Sequence, residues 1–474
     1  MFDNIHEECG VFGIFENTPS NVSSTAYLGL YALQHRGQES CGIAVCDDGI
    51  FRQHKGLGLV GEVFTKESLE ELGIANMAVG HVRYSTTGCN NINNVQPIVV
   101  RHIKGNLALA HNGNLTNASE LRSHFELNGA IFHSTSDTED IVYSIVSERL
   151  QARSIENAVE MAMYNLKGAY SCCLMSPSKL IAFRDPNGFR PLCLGITKTG
   201  GYIISSESCA IDAVGASFIR DIQPGEILVI SEEGLKSIKT HCKKQSSLCV
   251  FEYIYFARPD SVIEGISVHA ARKKAGAILA KESPVDADVV IGVPDSGLDA
   301  ALGYSFESKI PYGIGFIKNK YIGRSFIKPT QSERESAVKI KLNVIKETIE
   351  GKRVILIDDS IVRGTTSRRI VKLLKDNGAK EVHLRISAPA FKFPCFFGTD
   401  IDSKENLIAC KYDTVEEIKD FIGADSLAYL SIDGAHQIAN DLDLRLCDGC
   451  FSGKYPIETP KNEEKNIFEQ KINR

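Results

Sequence analysis

Hydrophobic residues in the first half of the chain fall in short β-like runs that are separated by clusters of turn residues. The helical period is confined to residues 25–34 and 138–152. Many short strands with few helices predict stacked sheets covered by helices. The strands predicted most clearly are residues 9–15, 77–82, 107–110, 170–175, 179–183 and 202–205.

From about residue 265 the pattern changes to an alternation of helix and apolar strand. Helices are predicted at 269–282, 338–347 and 367–377, and strands at 289–293, 354–357 and 382–386. This alternation predicts a parallel sheet with helices on its faces. The polar, lysine-containing stretch 231–248 separates the two patterns. We therefore predict a first domain at 9–235, a second at 250–460 and a polar tail at 461–474.

Composition narrows the possible classes of protein. The chain has 474 residues, 43% of them hydrophobic and 24% charged, which indicates a globular protein of two or three domains. Its net charge of −6 argues against nucleic-acid binding, and it contains no run of about eighteen apolar residues that would predict a membrane span. The opening MFDNIHEE is not a secretory signal, so the fourteen cysteines indicate a reducing compartment, the cytoplasm.

Residues 354–366 join an apolar strand to two aspartates and a run of small and hydroxyl residues. Backbone N–H groups at the start of the following predicted helix suit a phosphate. Asp358 and Asp359 can hold ribose hydroxyls or a hydrated Mg²⁺. The alternative is an ordinary βα turn with two solvated acids. The segment resembles the binding signature of type I phosphoribosyltransferases, whose substrate is phosphoribosyl pyrophosphate.

This resemblance implies a substrate site at the carboxyl edge of the parallel sheet. It makes residues 292–297 the pyrophosphate loop. Residues 318–341 hold seven Lys or Arg against two Glu, and we interpret them as a lid over the substrate rather than a solvated face. The residues implied to bind phosphoribosyl pyrophosphate are Asp295, Ser296, Gly297, Lys320, Tyr321, Arg324, Asp358, Asp359, Ser360, Arg363, Gly364, Thr365 and Thr366. Ser296, Asp358 and Asp359 are further implied to lie on or near Mg²⁺.

Cys9 precedes the apolar run 10–15 and follows eight residues. Removal of those eight would give Cys9 both a thiol and a free α-amine. The α-amine has a reference pKa of about 7.7–8.0, so it is partly neutral near pH 7 and can act as a general base. A small buried cysteine in a strand is the ordinary alternative.

Separated motifs accompany Cys9 in the first half. They are residues 9–13 (CGVFG), 34–40 (QHRGQES), 80–86 (GHVRYST), 111–114 (HNGN) and 136–139 (SDTE). Together they resemble the class II glutamine amidotransferases, which are N-terminal-nucleophile hydrolases with a four-layer αββα fold.

That resemblance implies a role for each matching residue. Cys9 would attack the side-chain amide of glutamine, while Asn112 and Gly113 stabilise the oxyanion. The residues implied to bind glutamine are Arg36, Arg83 and Asp137. A surface salt bridge is the usual alternative for Arg83 or Asp137 taken singly.

The two resemblances occur together in one family, the glutamine phosphoribosylpyrophosphate amidotransferases. Membership implies hydrolysis of glutamine and transfer of the ammonia to C1 of phosphoribosyl pyrophosphate. The products would be 5-phosphoribosylamine, glutamate and pyrophosphate, in the first step of de novo purine biosynthesis. It also implies inhibition by purine nucleotides of the AMP or GMP type and a homodimer or homotetramer.

A C-x₂-C pair at residues 447–450 indicates a metal, but its spacing leaves zinc and an iron–sulfur cluster equally open. The chain resembles the iron–sulfur branch of the family. This resemblance implies a [4Fe–4S] cluster on Cys249, Cys395, Cys447 and Cys450. It also implies that residues 1–8 are a propeptide that is removed.

Two other classes of protein are alternatives to this interpretation. A non-catalytic regulator that senses phosphoribosyl pyrophosphate while binding DNA would need a DNA-binding module, and the net charge of the chain is negative. A different class II amidotransferase would not use the signature at 354–366. Residues 56–61 fit G-x-G-x-x-G, but no apolar strand leads into them, which favours a glycine turn over a dinucleotide site.

Overall fold

The computed structural model describes residues 9–84, 90–319, 342–401, 403–439 and 444–460. The strands of its first half are β1 (Gly10–Ser20), β2 (Ser40–Asp47), β3 (Ile50–Leu57), β4 (Ala75–Arg83), β5 (Ile98–His102), β6 (Gly105–Leu115), β7 (Gly168–Met175), β8 (Leu180–Arg184), β9 (Cys193–Ile196), β10 (Tyr202–Ser205), β11 (Ser217–Asp221), β12 (Ile227–Ser231) and β13 (Gly234–Ile238). The helices are α1 (Val22–Ala32), α2 (Val60–Val63), α3 (Lys66–Leu72), α4 (Ala118–Leu127), α5 (Asp137–Gln151), α6 (Ile155–Ala162) and α7 (Ser208–Ala213).

Two antiparallel sheets face each other in this half. Their strand orders are β11-β9-β10-β1-β4-β2-β3 and β13-β12-β8-β7-β6-β5. The alternation of side chains along β1 shows how the layers form. Val11 and Phe15 pack between the sheets, whereas Phe12 and Ile14 pack on the outer face with α1. Helices α5 and α6 cover the outer face of the other sheet, so the predicted four-layer αββα domain is confirmed.

The second half contains the strands β14 (Leu248–Cys249), β15 (Val262–Ile263), β16 (Ile266–Ser267), β17 (Val289–Gly292), β18 (Phe316–Lys318), β19 (Leu342–Val344), β20 (Arg353–Asp358), β21 (Glu381–Ile386), β22 (Ser426–Tyr429) and β23 (Leu446–Cys447). Its helices are α8 (Val268–Glu282), α9 (Gly297–Ser308), α10 (Lys346–Ile349), α11 (Thr365–Asp376), α12 (Ile408–Lys411), α13 (Val415–Ile422), α14 (Ile432–Gln437) and α15 (Gly449–Ser452), and a π-helical turn spans Glu252–Phe256.

A parallel sheet with the order β17-β20-β21-β22 forms the centre of the second half, which confirms the predicted architecture. Its inner strands are apolar along most of their length because helices bury both faces of a parallel sheet. Helix α11 buries Ile370, Val371 and Leu374 on one side. Strands β17 and β20 are neighbours, so the loops that follow them lie side by side at the carboxyl edge.

The structure differs from the sequence prediction at two places. The stretch 231–248 contains β13, which pairs with β12 at the edge of the first-half sheet, so the boundary lies after residue 238. Lys236 of β13 is exposed to solvent, as is common for lysines in edge strands. The helix predicted at 338–347 is wrong at Leu342–Val344, which form a strand paired with β18, whereas its last two residues, 346 and 347, begin α10. The alternation of Leu342, Asn343 and Val344 has the period of a strand, and residues 338–341 lie outside the described residues.

Within the described ranges, no helix is both long and apolar enough to cross a membrane.

Candidate active site

Cys9 lies directly ahead of β1, and 7% of its surface is exposed. Its thiol donates a hydrogen bond of 3.4 Å to the carbonyl oxygen of Tyr84. Two residues further on, Val11 pairs with His81 of β4, whose ring Nε2 lies 3.0 Å from the carbonyl oxygen of His111. Asn112 directly follows His111. Cys9 and Asn112 therefore lie at the same edge of the two facing sheets.

The Asn112–Gly113 segment has the features of an anion site. Asn112 is 1% exposed, and its side-chain Nδ2 has no hydrogen-bond partner among the described residues. Gly113 has a φ of +141°, and a Cβ there would collide with the carbonyl oxygen of Ala169. Only glycine fits this backbone without strain. A buried amide N–H group without a partner is costly unless a ligand accepts its hydrogen bond.

Two side chains form hydrogen bonds with the main chain of His111, the residue before this segment. The side-chain oxygen of Gln96 accepts the backbone N–H of His111 at 2.8 Å. The ring Nε2 of His81 lies 3.0 Å from the carbonyl oxygen of His111. Burial lowers the pKa of His81 to about 3, so the ring is neutral and Nε2–H donates this bond. The main chain that presents Asn112 is thereby fixed from both sides.

Arg83 and Asp137 are buried near this edge on separate elements. Arg83 is the last residue of β4, whose Val82 pairs with Gly10, and it is 2% exposed. Asp137 begins α5, and one of its carboxylate oxygens accepts the N–H of Leu115 at 2.9 Å. The placement agrees with their expected contacts to glutamine, and those roles stay predictions.

Arg36 has partners other than the glutamine that the sequence predicted. It is fully buried, and its Nε donates to the carbonyl oxygen of Cys9 at 3.1 Å. Nη1 lies 2.6 Å from the carboxylate of Glu207, and both terminal nitrogens contact Glu252 at 2.8 and 3.0 Å. The expected role of Arg36 as a ligand of glutamine stays a prediction. Its guanidinium is occupied by two carboxylates and fixes the main chain of Cys9.

The partners of Arg36 were not predicted from the sequence. Glu252 belongs to the second half and lies 3.4 Å from Arg190 as well. Burial opposes the ionisation of Glu207, but His35 and Arg36 hold the pKa of that carboxyl well below its usual range. The sequence feature that could have predicted this pairing is Glu252, which is the single acidic residue in the apolar run CVFEYIYF. Such an acid is buried only when it is paired.

The aspartate pair lies where the signature predicted. Asp358 ends β20 and Asp359 follows it, with 7% and 8% of their surfaces exposed. The hydroxyls of Ser296 and Ser360 donate to opposite oxygens of Asp359. Burial and the charge of Asp359 raise the pKa of Asp358, and burial raises the pKa of Asp359. Bound cations or hydroxyl donors would stabilise both ionised groups.

The predicted pyrophosphate loop, residues 292–297, approaches the end of β20 closely at Gly297. A Cβ on Gly297 would lie 2.5 Å from the carbonyl oxygen of Ile357, so only glycine allows this approach. The peptide bond between Pro294 and Asp295 is cis. The carboxylate of Asp295 pairs with Lys318 at 2.6 Å, where the predicted lid begins. The two loops that the signature assigned to one substrate are thus neighbours.

Helix α11 begins at Thr365 directly after Gly364, which has a φ of +79°. A Cβ on Gly364 would collide with the side chain of Ile408. Thr365 and Thr366 form the first turn, whose backbone N–H groups suit a phosphate, and Arg363 is exposed just before it. Lys320, Tyr321 and Arg324 lie outside the described residues.

The four cysteines predicted to bind a metal come from three parts of the chain and meet beside the domain interface. Cys249 and Cys447 pair in register in the small parallel ladder of β14 and β23, and Cys450 lies on α15, which follows. Burial and the neighbouring Cys395, Cys249 and Cys447 raise the pKa of the Cys450 thiol well above its usual range. Cys395 packs against the small apolar cluster that contains Cys447. In the described part of the chain, no three His, Cys, Asp or Glu side chains form a set that fits one metal ion.

These two sites define a class of enzyme in which a four-layer glutaminase domain precedes a phosphoribosyltransferase domain. Two family models agree with this division. One, described as a glutamine amidotransferase domain, matches residues 81–213, and one described as a phosphoribosyl transferase domain matches residues 265–423.

Full-length relatives identify the family. An amidophosphoribosyltransferase of Archaeoglobus fulgidus is 50% identical over 96% of this chain and 99% of its own length. One of Bacillus subtilis is 47% identical over 96% and 95% of the two chains. A solved structure of the B. subtilis glutamine phosphoribosylpyrophosphate amidotransferase, complexed with ADP and GMP, matches with a TM-score of 0.89 and 46% identity over 96% of this chain and 99% of that one. The chain belongs to the amidophosphoribosyltransferase family.

Replacement of Arg36 by Met should destabilise the protein by about 3–5 kcal/mol, because it leaves Glu207 and Glu252 as buried charges without their main partner. Urea unfolding followed by circular dichroism measures the change. Lys372→Met is the matched control, since Lys372 pairs with Asp376 on an exposed helix face and its loss should cost less than about 0.5 kcal/mol. Equal effects of the two substitutions would contradict the assignment of Arg36.

Proposed function

We propose that this chain transfers the amide nitrogen of glutamine to C1 of phosphoribosyl pyrophosphate. The products are 5-phosphoribosylamine, glutamate and pyrophosphate, and the reaction is the first step of de novo purine biosynthesis. The observation that carries the glutaminase half is the buried Asn112 Nδ2 without a partner among the described residues, at the sheet edge where Cys9 lies. The aspartate pair at the end of β20 supports the transferase half.

In the glutaminase reaction, Cys9 Sγ attacks the side-chain carbonyl carbon of glutamine, and the C–N bond then breaks to release ammonia. Asn112 Nδ2 and the N–H of Gly113 donate hydrogen bonds to the oxyanion that forms. One such donor is typically worth about 3 kcal/mol of the barrier. Arg83 binds the α-carboxylate and Asp137 the α-ammonium. Water hydrolyses the thioester to give glutamate and regenerates the thiol.

In the transferase reaction, the chain binds and orients the activated ribose. Asp358 and Asp359 accept hydrogen bonds from the ribose hydroxyls, and the first turn of α11 binds the 5′-phosphate. Ser296 and Gly297 receive the pyrophosphate. We assign to Lys320, Tyr321 and Arg324 the role of covering it. Mg²⁺ held by Ser296, Asp358 and Asp359 would supply charge neutralisation for the departing pyrophosphate.

We further propose that residues 1–8 are removed, so that the α-amine of Cys9 becomes the general base. Intact-mass measurement of the protein purified from its native host should give the mass of a chain that begins at Cys9. A fully active protein that retains residues 1–8 would remove the terminal-amine mechanism.

For the four cysteines we propose a [4Fe–4S] cluster. Four thiols without histidine suit iron–sulfur ligation, and a cluster offers one iron to each thiolate. The placement of the thiols supports a shared group, since Cys249 and Cys447 are paired in register and Cys395 packs against the apolar cluster that contains Cys447. Bound there, it would join β14, the loop of Cys395 and the C-terminal β23–α15 segment.

Anaerobically purified protein should contain about four irons per chain and absorb visible light. Cys450→Ser should abolish both signals because it removes one ligand. Cys410→Ser is the matched control, since this exposed thiol lies outside the group and bonds only the carbonyl of Lys392 among the described contacts. Zinc in place of iron would overturn the assignment.

The regulation and assembly that we propose follow from membership in the family. The B. subtilis relative was solved in complex with ADP and GMP, which supports inhibition of this chain by purine nucleotides of the AMP or GMP type. We expect a homodimer or homotetramer. Fourteen cysteines, four of them assigned to an oxygen-sensitive cluster, favour the cytoplasm.

Cys9→Ala should abolish glutamine-dependent synthesis of phosphoribosylamine while activity with ammonium at raised pH remains, because the ribose site is separate. With amide-¹⁵N-glutamine, the label should reach the pentose carbon only in the wild type. Cys242→Ala, a change at a half-buried thiol of the same domain, is the control and should behave as the wild type. Equal loss with both nitrogen donors in a folded Cys9→Ala variant would contradict the two-site scheme.

A further inference from the structure

The segment that presents the oxyanion donors is covered by a loop of the other domain, residues 395–399. A Cβ built on Gly398 would lie 3.4 Å from both the Cα and the carbonyl carbon of Gly113. Beside it, the side-chain Nδ2 of Asn114 lies 3.2 Å from the carbonyl oxygen of Phe396 and donates to it. The two segments therefore lie side by side, and a single carbon added to Gly398 would fill the space between it and Gly113.

Phe397, in the middle of the same loop, packs against the glutaminase domain. The ring of Phe397 stacks on Phe189 with 4.2 Å between centroids and an angle of 14°. The guanidinium of Arg190 donates to the carbonyl oxygen of Phe397 at 2.8 and 3.0 Å and reaches the hydroxyl of Thr399 at 3.3 Å. Since Arg190 is fully buried, these bonds are shielded from water. The loop has little freedom to move relative to Gly113.

Gly398 itself has a φ of +115°, a backbone region that side-chain-bearing residues rarely adopt. Two glycines with positive φ, Gly113 and Gly398, thus face each other across the domain interface. A single added carbon on Gly398 would reach ordinary contact distance of Gly113, and a branched side chain, which needs more space, would push the loop and Gly113 apart. Because Gly113 contributes an N–H donor, that displacement would change the direction of the hydrogen bond to the oxyanion.

We propose that Gly398 is a positioning residue for the glutaminase reaction, through which the transferase domain sets the position of the Gly113 N–H. The inference rests on the proposed function of Asn112 and Gly113. It assigns a contribution to glutamine hydrolysis to a residue of the domain that binds the sugar. It also places the loop of Cys395, one of the four clustered cysteines, directly behind the oxyanion site.

Gly398→Val tests this assignment, with Gly398→Ala as a milder variant whose single added carbon only reaches contact distance. In both, kcat for glutamine hydrolysis should fall, by about 10- to 100-fold for valine and less for alanine, as expected when a donor is misplaced by about an ångström. KM for glutamine should stay within about twofold, because the substrate clamps are untouched. Affinity for an aldehyde analogue of glutamine, whose carbonyl adds the thiol to form a tetrahedral adduct, should fall in parallel with kcat.

The matched control is Gly129→Val, which also replaces a glycine of positive φ (+86°) but places the side chain in open space. It should leave kcat unchanged. Ammonium-dependent synthesis should persist in all variants. An unchanged kcat in both Gly398 variants, a rise in KM that matches the fall in kcat, or equal loss of ammonium-dependent activity would each overturn the proposal. Failure of the wild type to hydrolyse glutamine would instead refute the proposed function.

Discussion

The guanidinium of Arg36 is fully buried. It contacts the main chain of Cys9, the carboxylate of Glu207 in the first half and that of Glu252 in the π-helical turn of the second half. A buried charge is tolerated only with close partners, and Glu207 and Glu252 supply them from different parts of the chain. Because Glu252 belongs to the second half, the position of Cys9 depends on how the two domains pack. The glutaminase site is consequently a property of both domains.

Close approach of main chains recurs at both sites. Gly297 meets the carbonyl of Ile357 in the transferase domain, and Gly113 meets Gly398 across the interface. A side chain on Gly297 or Gly113 would collide with a neighbouring carbonyl oxygen, and a bulky one on Gly398 would press on Gly113. The two reactions use different chemistry, but each depends on loops brought together from distant positions. Glycine is required because the loops approach through their backbones.

The sequence interpretation failed where neighbouring structure overrides the local pattern. Residues 342–344 form a strand because β18 offers them hydrogen-bond partners. The strand β13 was not predicted within the polar stretch 231–248, because three of its five residues are exposed at the edge of the sheet. The ion pairs of Arg36 with Glu207 and Glu252 were not predicted, because both partners are far from it in the sequence.

Local order along the chain predicted the two domain types and the aspartate pair at the end of an apolar strand. The roles predicted for Cys9, Asn112 and Gly113 came from the resemblance of separated motifs to a known family, and they stay predictions. Tertiary structure alone decided what holds those motifs in register: the ion pairs of Arg36, the stacking of Phe397 on Phe189 and the contact of Gly398 with Gly113. Such contacts join residues far apart in the chain, and their formation depends on how complete domains pack, which no local pattern specifies.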